Sequence, residues 1–193
     1  MIAVDCDDVL VATTPYFIDA YNKAHGTNIP LDQSHDGSEA VWGAHRELQV
    51  KRLDALTKTE EYRELGPTRD EVAILRELSS IHSFHLVTAR KQDELELTQR
   101  MLERDLPGVF ASLDFVGWTG SKGEVCRRIE ANVLIDDNFR HLQDAVKHGL
   151  PKNGAILFGD YPWNNESDES LAGMRRCVDW NEVKVAINEI TNG

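Results

Sequence analysis

No apolar run in this chain comes near the roughly 20 residues that a membrane-crossing helix requires, so no membrane partner is expected. The N-terminus also lacks the basic start of a secretory signal. Cysteine is scarce: Cys6, Cys126 and Cys177 are odd in number, far apart and without metal-ligand spacing. Reduced thiols in a cytoplasmic protein are the simplest account. Phosphatases that use cysteine need an arginine six positions after the nucleophile, and those positions hold Ala12, Asn132 and Val183, which excludes that chemistry. Positive charge is short too. Against 33 Asp and Glu stand 21 Lys and Arg, a formal net charge of −12, so a nucleic-acid polymer is not an expected partner. A small anionic substrate held through a metal remains open. At 193 residues the chain is long enough for one well-buried domain with a small insertion.

What is present begins at once. The short apolar run Met1-Ile2-Ala3-Val4 stops at Asp5-Cys6-Asp7-Asp8-Val9-Leu10, which reads as a buried strand ending at two carboxylates spaced i, i+2. Side chains alternate along an extended chain, so Asp5 and Asp7 can point the same way. Carboxylates that close repel, and they stay ionised together only beside a cation; otherwise one holds a proton. A metal-bound carboxylate can be a nucleophile and a protonated one a general acid. An acidic turn in which Asp5 caps the next helix is the plainer alternative.

From Phe84 onward, apolar runs alternate with amphipathic stretches. Strands are expected at His85 to Thr88, Leu113 to Val116, Asn132 to Ile135 and Ala155 to Phe158. Helices are expected at Asp93 to Asp105, Lys122 to Glu130 and Asn138 to His148, with a last helix capped by Asp179 or Asn181. The pattern predicts an α/β fold: a Rossmann-like parallel sheet with helices on both faces. Residues 14–66 break it, with helical stretches at Phe17 to His25 and His45 to Glu64 around a Gly-, Ser- and Asp-rich connection and no strand-like run. They read as a small helical cap inserted after the first strand, so that residues 1–13 and 67–193 form the core. A helix carrying Val72, Leu75, Leu78 and Ile81 restarts the alternation after Gly66-Pro67.

Ligands of an open parallel sheet bind at the carboxyl ends of its strands. Asp5 and Asp7, Thr88, and Asp136-Asp137 stand at such ends, and Lys122 opens a helix after Thr119-Gly120-Ser121. Singly, each has an ordinary explanation: a helix cap, an exposed cation, a solvated turn. Together they supply carboxylates, a hydroxyl and a cation around one point.

In this order the residues resemble the haloacid dehalogenase-like hydrolase superfamily. Asp5-Cys6-Asp7-Asp8-Val9-Leu10 is similar to its first motif, Val87-Thr88 to the second, Lys122 to the third and Leu134-Ile135-Asp136-Asp137-Asn138 to the fourth. Within it the chain looks most like the 5′(3′)-deoxyribonucleotidases, through Asp-Asp-Val-Leu, the helical insertion, Thr88-Ala89-Arg90 and the Tyr161-Pro162-Trp163-Asn164 loop. Asp8 stands where members more often have Gly.

The resemblance implies a Mg²⁺-dependent phosphatase working through an aspartyl-phosphate. Asp5 is then nucleophile and metal ligand, and Asp7 is the acid and base that also lends its backbone carbonyl to the metal. Asp136 completes the ligands, with Asp137 holding a metal water. Thr88, Ala89, Arg90 and Lys122 are the implied substrate contacts. The implied substrate is a small phosphorylated metabolite, with a 5′-nucleotide or deoxynucleotide as the best single guess, and relatives often pair as homodimers. Two alternatives stay open: an inactive or regulatory ligand-binding protein on the same scaffold, and a phosphotransferase or mutase. Arg90 is expected to pair with a carboxylate such as Asp93. Trp42 is a candidate for base stacking or helix packing, Tyr161 and Trp163 for substrate contact or packing. His25, His35 and His45 are expected at the surface.

Overall fold

The computed structural model describes residues 1–167 and 169–192. Its strands are β1 (Ile2–Val4), β2 (Phe84–Thr88), β3 (Phe110–Phe115), β4 (Val133–Asp136), β5 (Ala155–Phe158) and β6 (Arg175–Cys177). They form one sheet in the order β3-β2-β1-β4-β5-β6, every pairing parallel. The chain order reverses at β1, whose neighbours are β2 and β4. That is the switch point at which an open α/β sheet binds its ligands.

The helices are α1 (Thr13–His25), α2 (Glu39–Trp42), α3 (Arg46–Leu56), α4 (Glu60–Arg63), α5 (Arg69–Ser79), α6 (Leu95–Asp105), α7 (Lys122–Arg128), α8 (Phe139–Lys147) and α9 (Trp180–Asn192). Side-chain alternation sorts the strands between two cores. Ile2, Val4, Phe84, Leu86, Ile135 and Ile156 pack one way, against Leu75 and Leu78 of α5, Met101 and Leu102 of α6 and Val183 and Ile187 of α9. Ala3, Val87, Leu134 and Leu157 point the other way, against Val125 of α7 and Leu142 and Ala145 of α8. Strands buried on both faces account for the unbroken apolar runs. The expected Rossmann-like architecture is what the chain adopts.

Between β1 and α5 the chain is helical, and these helices close on a third, small core of Ile18, Tyr21, Ile29, Trp42 and Leu56. Trp42 is buried edge-on against Tyr21, so it packs helices and presents no face to a ligand. The single helix expected over residues 45–64 is two. Thr59 interrupts it, its hydroxyl accepting from Tyr62 N–H at 3.2 Å to start α4. Ile81, expected in a buried stripe, lies past the end of α5 and is 73% exposed. The edge strand β6 was not expected, because Arg175 and Arg176 hide its pattern; charge is usual on a sheet edge.

One buried polar group on β2 has a consequence for stability. His85 is enclosed between Ser112 and Asp114 of β3, its Nδ1 2.6 Å from Ser112 Oγ and its Nε2 2.7 Å from Asp114 Oδ2. Burial lowers its pKa; Asp114 pulls upward, but Arg128 also claims that carboxylate at 2.6 Å. The folded state therefore keeps His85 neutral where the unfolded chain, with a histidine pKa of about 6.5, takes up a proton. Stability from this site is present above that pH and is lost as pH falls through it. Urea unfolding at pH 7, 6 and 5 should show a steeper loss in wild type than in His85→Gln; parallel curves would show that His85 contributes nothing to the pH dependence.

Candidate active site

The pairing of Val4 with Ile135 sets the next residues of β1 and β4 side by side, which brings Asp5 beside Asp136. Both are buried, and Lys122 lies between them with its Nζ 2.8 Å from Asp5 Oδ1 and 2.7 Å from Asp136 Oδ2. Asp137 joins them, so that one carboxylate oxygen from each of Asp5, Asp136 and Asp137 lies within 4.8 Å of the others.

Local structure fixes each member. Asp5 accepts from Cys6 N–H at 2.7 Å, and Asp136 from Asn138 N–H at 2.9 Å, while Asn138 caps α8 through Arg140 N–H. Lys122 is the first residue of α7, capped by Ser121, whose Oγ accepts from Glu124 N–H. The helix is drawn onto α8 because Ser121 Oγ and Gly123 N–H both donate to Asp144 Oδ2, at 2.7 and 2.9 Å. A Cβ on Gly123 would lie 2.6 Å from the Asp144 carbonyl, so glycine permits the approach that seats Lys122.

Electrostatically the cluster is short of positive charge. Burial, with Asp136 and Asp7 nearby, pushes Asp5 up to about 7 despite Lys122. Burial also raises Asp136, and burial with the charges of Asp136 and Asp5 raises Asp137 well above the carboxylate range. Lys122 is held charged: burial disfavours the ammonium, but Asp136 and Asp5 outweigh it. Three carboxylates around one ammonium, all oxygen donors, match what a hard divalent cation requires.

The side chain of Asp7 points elsewhere. It accepts from Arg90 Nε at 3.1 Å and Nη2 at 2.7 Å, and from Thr13 Oγ1 at 2.6 Å. Burial alone would raise its pKa, but Arg90 and Thr13 outweigh that and hold Asp7 below its ordinary value, hence ionised. The expected partner of Arg90, Asp93, is displaced by a carboxylate 83 positions away. Arg90 is itself buried, donates to Thr98 Oγ1 at 3.0 Å, and lies 5.8 Å from the centre of the Tyr62 ring. Thr88 Oγ1 accepts from Arg90 N–H at 3.1 Å, which leaves its own proton to give.

Asp8 explains the departure at that position. Its φ of +56° is left-handed, a conformation glycine adopts freely and aspartate tolerates through local hydrogen bonds. Those bonds run to Thr14 N–H at 2.9 Å and Thr14 Oγ1 at 2.5 Å, so Asp8 ties down the start of α1, which Ala12 cannot cap. Burial raises the Asp8 pKa to about 6. In the turn after Asp5, Asp8 N–H bonds Val11 and the N–H groups of Leu10 and Val11 bond Cys6, while those of Asp7 and Val9 have no protein partner among the described residues.

Above Asp7 and Arg90 lies a cavity of about 340 Å³, walled by Phe17, Arg46, Leu53 and Tyr62 of the helical segment and by Trp118 beyond β3. Ala89 lines it as well. Arg46, Tyr62 and Trp118 carry no motif that would have marked them. His25 and His45 are exposed as expected; His35 is exposed too, yet its ring lies 4.8 Å from that of Trp163.

A family model described as "5′ nucleotidase, deoxy (Pyrimidine), cytosolic type C protein" matches residues 1–191. No curated protein matches the chain. Among solved structures, the chain is similar to a haloacid dehalogenase-like family hydrolase from Streptococcus pneumoniae, at 15% identity and a TM-score of 0.65 over 96% of this chain and 97% of that one. It is also similar to a hydrolase of the same superfamily from Deinococcus radiodurans, solved with phosphate and sodium bound, at 13% identity and a TM-score of 0.62 over 98% and 95%. These two likenesses carry the fold. The chain is a phosphatase-like hydrolase of the haloacid dehalogenase-like superfamily.

Removing the buried ammonium tests the charge balance. Lys122→Met should cost about 3 kcal/mol or more in urea unfolding with EDTA at neutral pH, because it strands buried carboxylates. The loss should shrink at pH 5, where those acids take up protons. Unchanged stability at neutral pH would show that Lys122 is not their counter-charge.

Proposed function

Since the chain belongs to this cytosolic type C nucleotidase family, we propose that it is a Mg²⁺-dependent phosphomonoesterase that works through an aspartyl-phosphate on Asp5. A 5′-nucleotide or deoxynucleotide is the proposed substrate. The observation that supports this most is the gathering of Asp5, Lys122, Asp136 and Asp137 at the carboxyl ends of two adjacent strands, at the point where strand order reverses. Asp5, Asp136, Asp137 and the Asp7 carbonyl would hold the Mg²⁺, which when bound offsets repulsion between a carboxylate nucleophile and a phosphate dianion.

The residues of the chain do the rest. Asp5 attacks phosphorus. Lys122 holds its carboxylate in place and stays positive as charge builds on the transferring group. The Thr88 hydroxyl and the free N–H groups of Asp7 and Val9 donate to phosphoryl oxygens. Asp7 has two tasks that need opposite charge states. Ionised, as Arg90 and Thr13 hold it, it suits the second half, activating the water that hydrolyses the acyl phosphate. For the first half it must carry a proton to the leaving oxygen. An arriving phosphate dianion competes for the Arg90 fork and adds negative charge beside Asp7, and both changes favour that proton.

Residues 14–66 act in this reading as the cap that chooses the substrate. Phe17, Leu53 and Tyr62 offer flat and apolar wall, and Arg46 a cation at the rim, which suits an aromatic, polar leaving group. No described helix is long and apolar enough to cross a membrane, and the described cysteines are free and buried, in keeping with a cytoplasmic enzyme.

Assays of p-nitrophenyl phosphate and a panel of nucleoside monophosphates and sugar phosphates test the reading. Turnover should require Mg²⁺, vanish with EDTA and vanish in Asp5→Asn. Nucleotides should exceed sugar phosphates in kcat/KM by about tenfold or more. Full activity in EDTA or in Asp5→Asn would overturn the mechanism; a preference for sugar phosphates would overturn the substrate class.

A further inference from the structure

We propose that Trp163 is a positioning residue for Asp137. Its indole N–H holds one oxygen of that carboxylate so that the other is presented to the Asp5–Asp136 cluster. The inference rests on the metal reading above and adds to it a residue that no motif singles out for this task.

Trp163 Nε1 donates to Asp137 Oδ2 at 2.7 Å. The ring is held from several directions. Tyr161 stacks on it with centroids 4.5 Å apart and planes 5° from parallel. The Tyr161 hydroxyl in turn donates to the Asp8 carbonyl at 2.9 Å, which ties the stack to the loop that carries the nucleophile. Next in the turn, Asn164 is buried and donates through Nδ2 to the carbonyls of Phe158 at 2.8 Å and Asp137 at 3.2 Å. Arg176 of β6 braces the turn by donating to the Asn164 carbonyl at 2.8 Å. Thus the residues flanking Trp163 bond to the backbone of Asp137 itself and of Asp8 in the first motif.

A ring needed only for packing has no reason to aim its one polar atom at a carboxylate in a crowded anionic cluster. Phenylalanine would fill the same stack. What the indole adds is a fixed donor. Asp137, left unpaired, has two rotatable bonds and a repulsive neighbour in Asp136, which would turn it outward. A donor placed behind a metal-binding carboxylate fixes its direction, and loss of such a partner typically weakens metal binding by about 10- to 100-fold. His35, against the same ring at 4.8 Å, makes the helical segment part of this arrangement.

Trp163→Phe keeps the stack and removes the donor. Calorimetric titration of the full-length protein with Mg²⁺ and with Mn²⁺, without substrate, should show Kd raised about tenfold or more relative to wild type. In an Asp137→Asn background the same substitution should change Kd little, because the group it acts through is already altered. Equal Kd in wild type and Trp163→Phe would overturn the inference alone, as would an undiminished loss in the Asp137→Asn background, which would assign the effect to packing. Failure of wild type to bind either ion would overturn the metal reading and this inference with it. A second measurement needs no substitution at Trp163: its indole N–H resonance should shift on adding Mg²⁺ to wild type and stay put in Asp137→Ala. A resonance unmoved in wild type would also count against the inference.

Discussion

A buried ammonium between two buried carboxylates is the constraint around which this protein is arranged. Lys122 reaches Asp5 and Asp136 from a third element; Lys122 and Asp136 are wholly buried, and Asp5 keeps only a small exposed edge. Each charge would be costly to bury by itself, and the pairings offset that cost only if the geometry holds. Much of the local structure serves that geometry. The parallel register of β1 and β4 sets the two aspartates abreast, the Ser121–Asp144 contact seats α7 on α8, and a glycine at 123 lets the helices close. Asp137 leaves the cluster with more negative than positive charge, a surplus whose chemistry suits a hard cation.

A second ion pair runs from the sheet toward the helical segment. Arg90 grips Asp7 from below and faces the Tyr62 ring on its other side, while the Tyr62 hydroxyl donates to Glu94 at 3.0 Å. On the opposite flank, His35 meets Trp163, which bonds Asp137. The helical segment therefore touches the site at two points, one beside the group proposed as acid and base and one beside the proposed metal carboxylates. Movement of that segment would be felt at both.

The sheet was legible because strands buried on both faces must be apolar throughout, and three such runs ended in polar residues at ligand-binding positions. Thr88 and Asp136-Asp137 could be placed with Asp5 for that reason, and Lys122 because it opens the helix after the next expected strand. The end of the sheet was not legible: β6 is a three-residue edge carrying two arginines, one of which braces the Tyr161–Asn164 turn. The break at Thr59 was hidden for a different reason, since a threonine in a polar helix marks a cap only when the chain turns there. Arg90 was assigned the nearest acid in sequence, Asp93, whereas folding delivers Asp7. Likewise Trp163 showed only that it was aromatic; that its nitrogen meets Asp137 depends on the path of two loops.

The central claim is that Asp5, Lys122, Asp136 and Asp137 surround one divalent ion, with Asp5 facing a phosphoryl group. A crystal structure with Mg²⁺ and beryllium fluoride, a mimic of that group, tests it most directly. The account predicts the ion in contact with the Asp5 and Asp136 carboxylates and the fluoride complex bonded to Asp5, within reach of Thr88 and Lys122. An ion bound away from those carboxylates, or a fluoride complex seated on any other residue, would contradict it.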